Sequence, residues 1–175
     1  MNKSKKLRIA ILMGGPSREH EVSLKSGEQV LKYLDADKYD AKKVLINKKG
    51  EWSIAPEDLK NKIDLAFIAL HGTYGEDGAI QDILEANKIP YTGSAILPSA
   101  LGMNKFLSLK LFRDFGLTVP ISFLVSKLEW QESPEQVLDK IRHYTGHPIV
   151  IKPNSDGSSF GVSIAEDQYE TEEAL

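Results

Sequence analysis

Three segments of the 175-residue chain carry side chains suited to charged small molecules, each beside a glycine-rich turn where an apolar run ends. In GGPSREHEVSL, residues 14–24, Glu19 and Glu21 stand at the start of a helical pattern. The free N–H groups of a helix start favour anions and can hold a carboxylate rigidly. Such a carboxylate suits the grip on a substrate ammonium, while Ser17 and Glu19 equally fit plain helix capping. In HGTYGEDGAIQ, residues 71–81, His71 ends a buried run at the edge where open α/β sheets place their ligands. A lone histidine there is commonly a structural hydrogen-bonder. Gly72, Gly75 and Gly78, however, let the backbone turn tightly against a ligand, with Glu76 and Asp77 opening the next helix, and this favours function. In IKPNSDGSSFGVS, residues 151–163, the Lys152 ammonium precedes a turn in which Asn154, Ser155, Gly157, Ser158, Ser159 and Gly161 offer backbone and hydroxyl donors. That is the equipment of a loop covering a polyphosphate.

Several other chemistries are excluded. Residues 157–161 spell the G-x-S-x-G of a nucleophile elbow, but the elbow needs a helix after its turn, and residues 162–165 read as a strand. Neither the dinucleotide fingerprint nor the P-loop motif occurs in the chain. The four histidines show no metal-ligand spacing, and with no cysteine there is neither a disulfide nor a thiolate metal site.

The elements that must position these residues follow from periodicity. A run over 7–13 that is apolar but for Arg8, closed by Gly14, Gly15 and Pro16, is a strand buried on both faces, as in a parallel sheet. Val22, Gly27, Val30, Leu31 and Leu34 predict a helix over about 20–34, with Gly27 allowing close approach to the sheet. Further strands are expected at 39–46, 65–70 and 89–91, a hairpin-like turn at 47–50 and a helix over 78–87. From Leu97 the helical reading runs on through Phe112 to a C-cap at Gly116, the expected domain boundary. Beyond it come a strand at 119–125, a helix opened by Ser133 and Pro134, and two strands, 149–152 and 162–165, joined as an antiparallel pair.

Composition agrees with a globular α/β chain: 41% hydrophobic, 27% charged, net charge −3. Residues 1–60 carry a basic excess and the rest an acidic one. The leader Lys3, Lys5, Lys6 and Arg8 has no interleaved aromatics, so nucleic acid is not an expected partner. No run approaches the roughly 18 apolar residues of a membrane span, and the chain reads as cytoplasmic.

Four ordered motifs, GGPSREHEVSL, IALHGTYGEDGAIQ, the IPYTGS…SALGMNK stretch at 89–105 and PIVIKPNSDGSSFGVS, resemble the amino-terminal half of the D-alanine:D-alanine ligases of the ATP-grasp superfamily. The resemblance covers nearly the whole chain. It implies a parallel-sheet pre-ATP-grasp domain over 1–117 and the first part of an α+β ATP-grasp lobe over 118–175. It also implies an activity, in which ATP phosphorylates one D-alanine and the amine of a second attacks the acyl phosphate, giving D-alanyl-D-alanine for peptidoglycan.

By the same resemblance Glu19 binds the first D-alanine's ammonium and His71 lies near that substrate. Lys105 and Lys152 contact ATP phosphates. Gly157, Ser158 and Ser159 belong to the loop that closes over them, and Ser158 joins Glu19 in positioning substrate. Asn104 stands where the family usually has aspartate. The adenine pocket, the charge-stabilising arginine and the Mg²⁺ ligands belong to the carboxyl-terminal half, so no metal ligand is expected in these residues and the chain alone is expected not to turn over. A homodimer through the first domain is also implied. Two alternatives remain: a D-lactate or D-serine ligase, and a non-catalytic binding or assembly module.

Overall fold

The computed structural model describes residues 5–158 and 160–175, so Lys3 and Ser159 lie outside the described residues. The chain divides into two compact units, Met1–Gly102 and Met103–Leu175.

The first unit is built on β1 (Leu7–Gly14), which pairs in parallel with both β2 (Tyr39–Ile46) and β3 (Leu65–Ile68), giving the order β2-β1-β3. Alternation along β1 sorts its side chains onto two faces. Ala10 and Leu12 join Val44, Ile46 and Ala66 on one face, where Ile80 and Leu84 of α3 (Ala79–Ala86) cover them. Ile9, Ile11 and Met13 face the other way, under Leu24, Val30 and Leu31 of α1 (His20–Tyr33). Ile11, Leu12 and Met13 are fully buried. Each such side chain contributes about 1.5–3 kcal/mol relative to exposure. The apolar run Ile9–Met13 within this stretch therefore reads correctly as the centre of a parallel strand.

Gly27 is what lets α1 lie this close. A Cβ built there would stand 2.3 Å from Met13 Cε and 2.8 Å from Met13 Cβ. The turn after β2 is closed by Asn47, whose side chain accepts from the Lys49 and Glu51 amides, and Ile46 bridges back to Trp52. A single turn of helix, α2 (Pro56–Leu59), leads toward β3. At the foot of the sheet Arg8 pairs with Asp64, Nη2 to Oδ1 at 2.6 Å and Nε to Oδ2 at 3.1 Å.

Three sequence expectations need correction. The strand at 89–91 is reduced to one parallel bridge, Ala66 to Tyr91, with Ala66 N–H donating to Pro90 O. The helix from Leu97 to Phe112 is two helices, α4 (Ile96–Met103) and α5 (Lys105–Asp114). Asn104 breaks it, leaving helical geometry (φ −85°, ψ 97°) to accept the Leu107 amide on its side chain. Finally, no strand forms over 119–125. Ile121 and Leu124 remain exposed, and among the described residues this stretch pairs with no other strand.

The units divide between Gly102 and Met103, whereas the expected boundary followed Gly116. The backbone of α5 is tied forward in sequence: Lys105 N–H donates to Asn154 O at 3.0 Å and Phe106 N–H to Asn154 Oδ1 at 2.9 Å. Gly116 does end α5 as expected, with φ +80° and its N–H on Arg113 O. The second unit continues with α6 (Lys127–Glu132) and α7 (Pro134–Tyr144), then β4 (Ile149–Ile151) paired antiparallel with β5 (Ser163–Ala165), then α8 (Gln168–Ala174). Val137, Leu138 and Ile141 of α7 are its buried core.

Candidate functional site

The carboxyl ends of β1 and β3 are fastened together by a buried hydroxyl. Ser23 Oγ accepts the Gly14 N–H at 2.8 Å and donates to Ala69 O at 2.7 Å. The loops leaving these two strands are therefore neighbours, and they carry Glu19 and His71. Ser17 joins them again: its Oγ–H donates to His71 O at 2.7 Å and its oxygen accepts the Glu19 N–H at 3.1 Å.

The capping reading of Glu19 fails in its side chain. Glu19 occupies the N-cap position of α1, yet its carboxylate accepts no capping hydrogen bond. Instead it lies over Gly72, where φ is +69° and an added Cβ would meet Glu19 Oε2 at 2.6 Å. Among the described residues the carboxylate has no hydrogen-bond or ion-pair partner. Glu21, the other acid of this segment, is exposed and pairs with Lys48 at 3.4 Å, so it takes no part in this cluster.

His71 is held at several points. Its Nε2 lies 2.8 Å from Ser26 Oγ, and its Nδ1 lies 3.8 Å from Glu76 Oε1. Glu76 and Asp77 shape the loop rather than open a helix: Glu76 Oε2 accepts the Gly72 amide, and Asp77 accepts those of Tyr74 and Ala79. Tyr74 has φ +73° and its hydroxyl accepts the Trp52 indole N–H at 2.9 Å. Ser26 was not singled out from sequence. The available signal was a pair of hydroxyls, Ser23 and Ser26, one helical turn apart on the stripe of α1 that faces the sheet.

The remaining candidates stand in the second unit, around the turn between β4 and β5. Lys105 Nζ donates to Asp156 O, so this lysine and the turn that follows Lys152 share one structure. Asn154, which takes the first two amides of α5, is the fastening that sequence reasoning missed. Lys152 is exposed and, among the described residues, has no ion-pair or hydrogen-bond partner. Gly157 O accepts the Phe160 amide, and Ser158 is exposed at φ +51°. Because β5 returns antiparallel to β4 after this turn, the strand, turn and helix of a nucleophile elbow are absent here among the described residues. Among them, too, no cluster of three His, Cys, Asp or Glu side chains could hold a metal ion.

In the first unit, a parallel sheet carries at its carboxyl edge a carboxylate without a partner among the described residues and a hydrogen-bonded histidine, the edge at which open α/β folds place their ligands. Comparison with known proteins makes the assignment specific. The family models described as D-ala D-ala ligase N-terminus and D-ala D-ala ligase C-terminus match residues 8–62 and 53–94, and 111–175, respectively. The chain belongs to the D-alanine–D-alanine ligase family.

It is 44% identical over 171 residues to a D-alanine–D-alanine ligase of Geobacter sulfurreducens, covering 98% of this chain and 51% of that protein. The D-alanine–D-alanine ligase structure from Bacillus anthracis superposes with a TM-score of 0.77 at 40% identity, over 94% of this chain and 51% of that one. The VanG D-Ala:D-Ser ligase of Enterococcus faecalis gives a TM-score of 0.81 at 30% identity, over 97% and 58%. The chain thus spans about half the length of the curated relatives it matches.

Proposed function

We propose that this chain supplies the first-substrate site and the phosphate-binding loop of an ADP-forming ligase that joins two D-alanines. The observation that carries the reading is the Glu19 carboxylate, left without a partner among the described residues beside Gly72 at the carboxyl edge of the sheet. An acceptor-only group so placed takes an ammonium, and the first D-alanine offers one. His71 stands on the adjoining loop. Lys105, Lys152 and the turn bearing Gly157 and Ser158 would hold ATP phosphates, the lysines offsetting charge and the backbone amides orienting it. Ser158 is assigned to substrate positioning as well as to phosphate binding in this reading, and Ser159 to phosphate binding.

ATP, when bound, supplies the phosphoryl group that activates the D-alanine carboxylate for attack by the second amine. A relative's structure carries ATP, the Bacillus anthracis D-alanine–D-alanine ligase complexed with it. Magnesium finds no carboxylate cluster among the described residues, so its ligands are assigned to the carboxyl-terminal half that the longer relatives possess and no step is drawn through it here. The reading extends to a role in peptidoglycan and cell-shape maintenance, to a cytoplasmic location, and to a homodimer through the first unit, with neither nucleic acid nor membrane as partner. No helix among the described residues is long and apolar enough to cross a membrane.

Binding is the direct test. In a titration of the ¹⁵N-labelled chain with D-alanine, amide shifts should localise to residues 14–19 and 71–76, and Glu19→Gln should weaken binding at least about tenfold, or 1.4 kcal/mol. Saturable D-alanine binding untouched by Glu19→Gln would refute the site. The chain alone should form no ADP with D-alanine and ATP, and D-alanine-dependent ADP release would refute the assignment of essential groups to the other half. The second reading, D-serine as second substrate, has the VanG resemblance in its favour, but identity is higher to the Geobacter sulfurreducens and Bacillus anthracis D-alanine–D-alanine ligases, at 44% and 40% against 30%.

A further inference from the structure

We infer that Asn154 is a positioning residue that ties Lys105 to the turn after β4, so that this lysine and the turn move as one body. A helix start leaves its first amides without intrahelical acceptors, and something else must take them. In α5 Asn154 takes two at once: its backbone oxygen accepts the Lys105 amide at 3.0 Å, and its side-chain Oδ1 accepts the Phe106 amide at 2.9 Å. Asn104 takes the third, that of Leu107, at 3.0 Å. A backbone N–H can only donate, so the oxygen of the Asn154 carboxamide, and not its NH₂, faces Phe106. Lys105 is held at its other end too, its Nζ donating to Asp156 O.

The turn is braced from its other side as well. It leaves β4 at Ile151, which pairs with Ser163 of β5, and Gly161, at φ +64°, lies so close to Pro153 that an added Cβ would meet its Cγ at 2.8 Å. Asn154 follows Pro153 directly and stands two residues beyond Lys152. Lys105 opens α5 and Lys152 follows β4, and Asn154 is the residue that relates the two elements. In consequence the first three amides of α5 are already taken, and an anion arriving there meets the Lys105 ammonium rather than free helix amides. The effect on a polyphosphate rests on the proposed phosphate-binding loop, whereas the tie itself does not.

Amide hydrogen exchange of the ¹⁵N-labelled chain should find Phe106 slow in the wild type and about tenfold faster in Asn154→Ala. Asn154→Asp, which keeps an acceptor, should hold it slow. Asn154→Ala should also shift the amides of residues 155–158, whereas Asn104→Ala, which opens the same helix start at Leu107, should leave them in place. With tripolyphosphate as probe, Asn154→Ala should weaken binding about threefold to tenfold, the range of one neutral hydrogen bond, and Asn104→Ala should not. In a Lys105→Met background Asn154→Ala should add nothing, because it acts through the lysine, while a merely structural role would weaken binding with or without that ammonium. A Phe106 amide that exchanges fast in the wild type, or is unmoved by Asn154→Ala, overturns the inference. So does an equal loss of tripolyphosphate binding from Asn104→Ala, or from Asn154→Ala in the Lys105→Met background. The Asn154-dependent tie without saturable tripolyphosphate binding supports the inference and overturns the proposed phosphate-binding loop.

Discussion

Gly27→Ala should destabilise the first unit although alanine is the better helix former. In an exposed helix interior the exchange would gain about 1 kcal/mol. Here the new methyl would meet Met13 at 2.3 Å (Cε), 2.8 Å (Cβ) and 2.9 Å (Sδ), against roughly 3.5–4.0 Å for comfortable carbon contacts. Swinging the terminal methyl away relieves only the first contact, because Cβ and Sδ are fixed nearer the strand. Met13 is fully buried among Ile9, Ile11 and Ala69, which leaves it little room to repack. Overpacking of this kind costs about 1–3 kcal/mol, and the short Cβ contact places this case at the upper end. The net expectation is a loss of about 2 kcal/mol after the gain in helix propensity.

Urea unfolding followed by Trp52 fluorescence in a Trp130→Phe background reads the first unit alone. With a slope of about 1–3 kcal/mol per molar, the midpoint should fall by roughly 1 M. Adding Met13→Val should recover part of the loss, so that the double variant is more stable than the two separate effects predict. A neutral or stabilising Gly27→Ala would refute the claim that α1 is seated by the missing side chain.

Two further outcomes follow from caps and charges. The Asp64 carboxyl is held well below the usual carboxylate range, first by the Arg8 side chain and then by the Arg8 backbone N–H. A depressed folded value means stability present above the unfolded value of about 3.9 and lost as pH falls below it. Asp64→Asn should therefore lower the urea midpoint at neutral pH and flatten its decline between about pH 4 and pH 2, and an unaltered acid limb would count against the pair. At the start of α5, Asn104→Ala should cost about 1 kcal/mol while Asn104→Asp stays within a few tenths, since either side chain can accept the Leu107 amide. Thermal unfolding of the second unit measures both, and equal losses would show that an acceptor for the Leu107 amide is not what the position requires.

What the sequence disclosed was whatever is carried by local order. The run 7–13 announced a central strand because both faces of β1 are covered, and the spacing of Val30, Leu31 and Leu34 announced the helix over one of them. Gly116 marked a helix end through its own backbone freedom. Asn104 was passed over because apolar periodicity continues across it, while the break depends on a polar side chain preferring an amide to water. The stretch 119–125 has strand-like composition, but a strand exists only where a partner supplies hydrogen bonds. Of the candidate residues, Glu19 at the start of α1 and His71 beyond the end of β3 were legible in their placement. Ser26 and Asn154 were not, because their partners lie far along the chain, and only folding brings Ser26 to His71 or Asn154 to the first amides of α5.

The Ser23 hydroxyl has a bearing on how this edge of the sheet can vary. Its one proton and one of its lone pairs are spent on two different strands, so it works as a gauge block that sets the gap from which both loops depart. Loop sequences on either side can change without altering that gap. An alanine here would leave a buried amide and a buried carbonyl unsatisfied, a threonine would add a methyl to a fully buried position, and neither keeps the spacing. The distance between the two loops is thereby set by α1 and the strand ends, and not by the loops themselves.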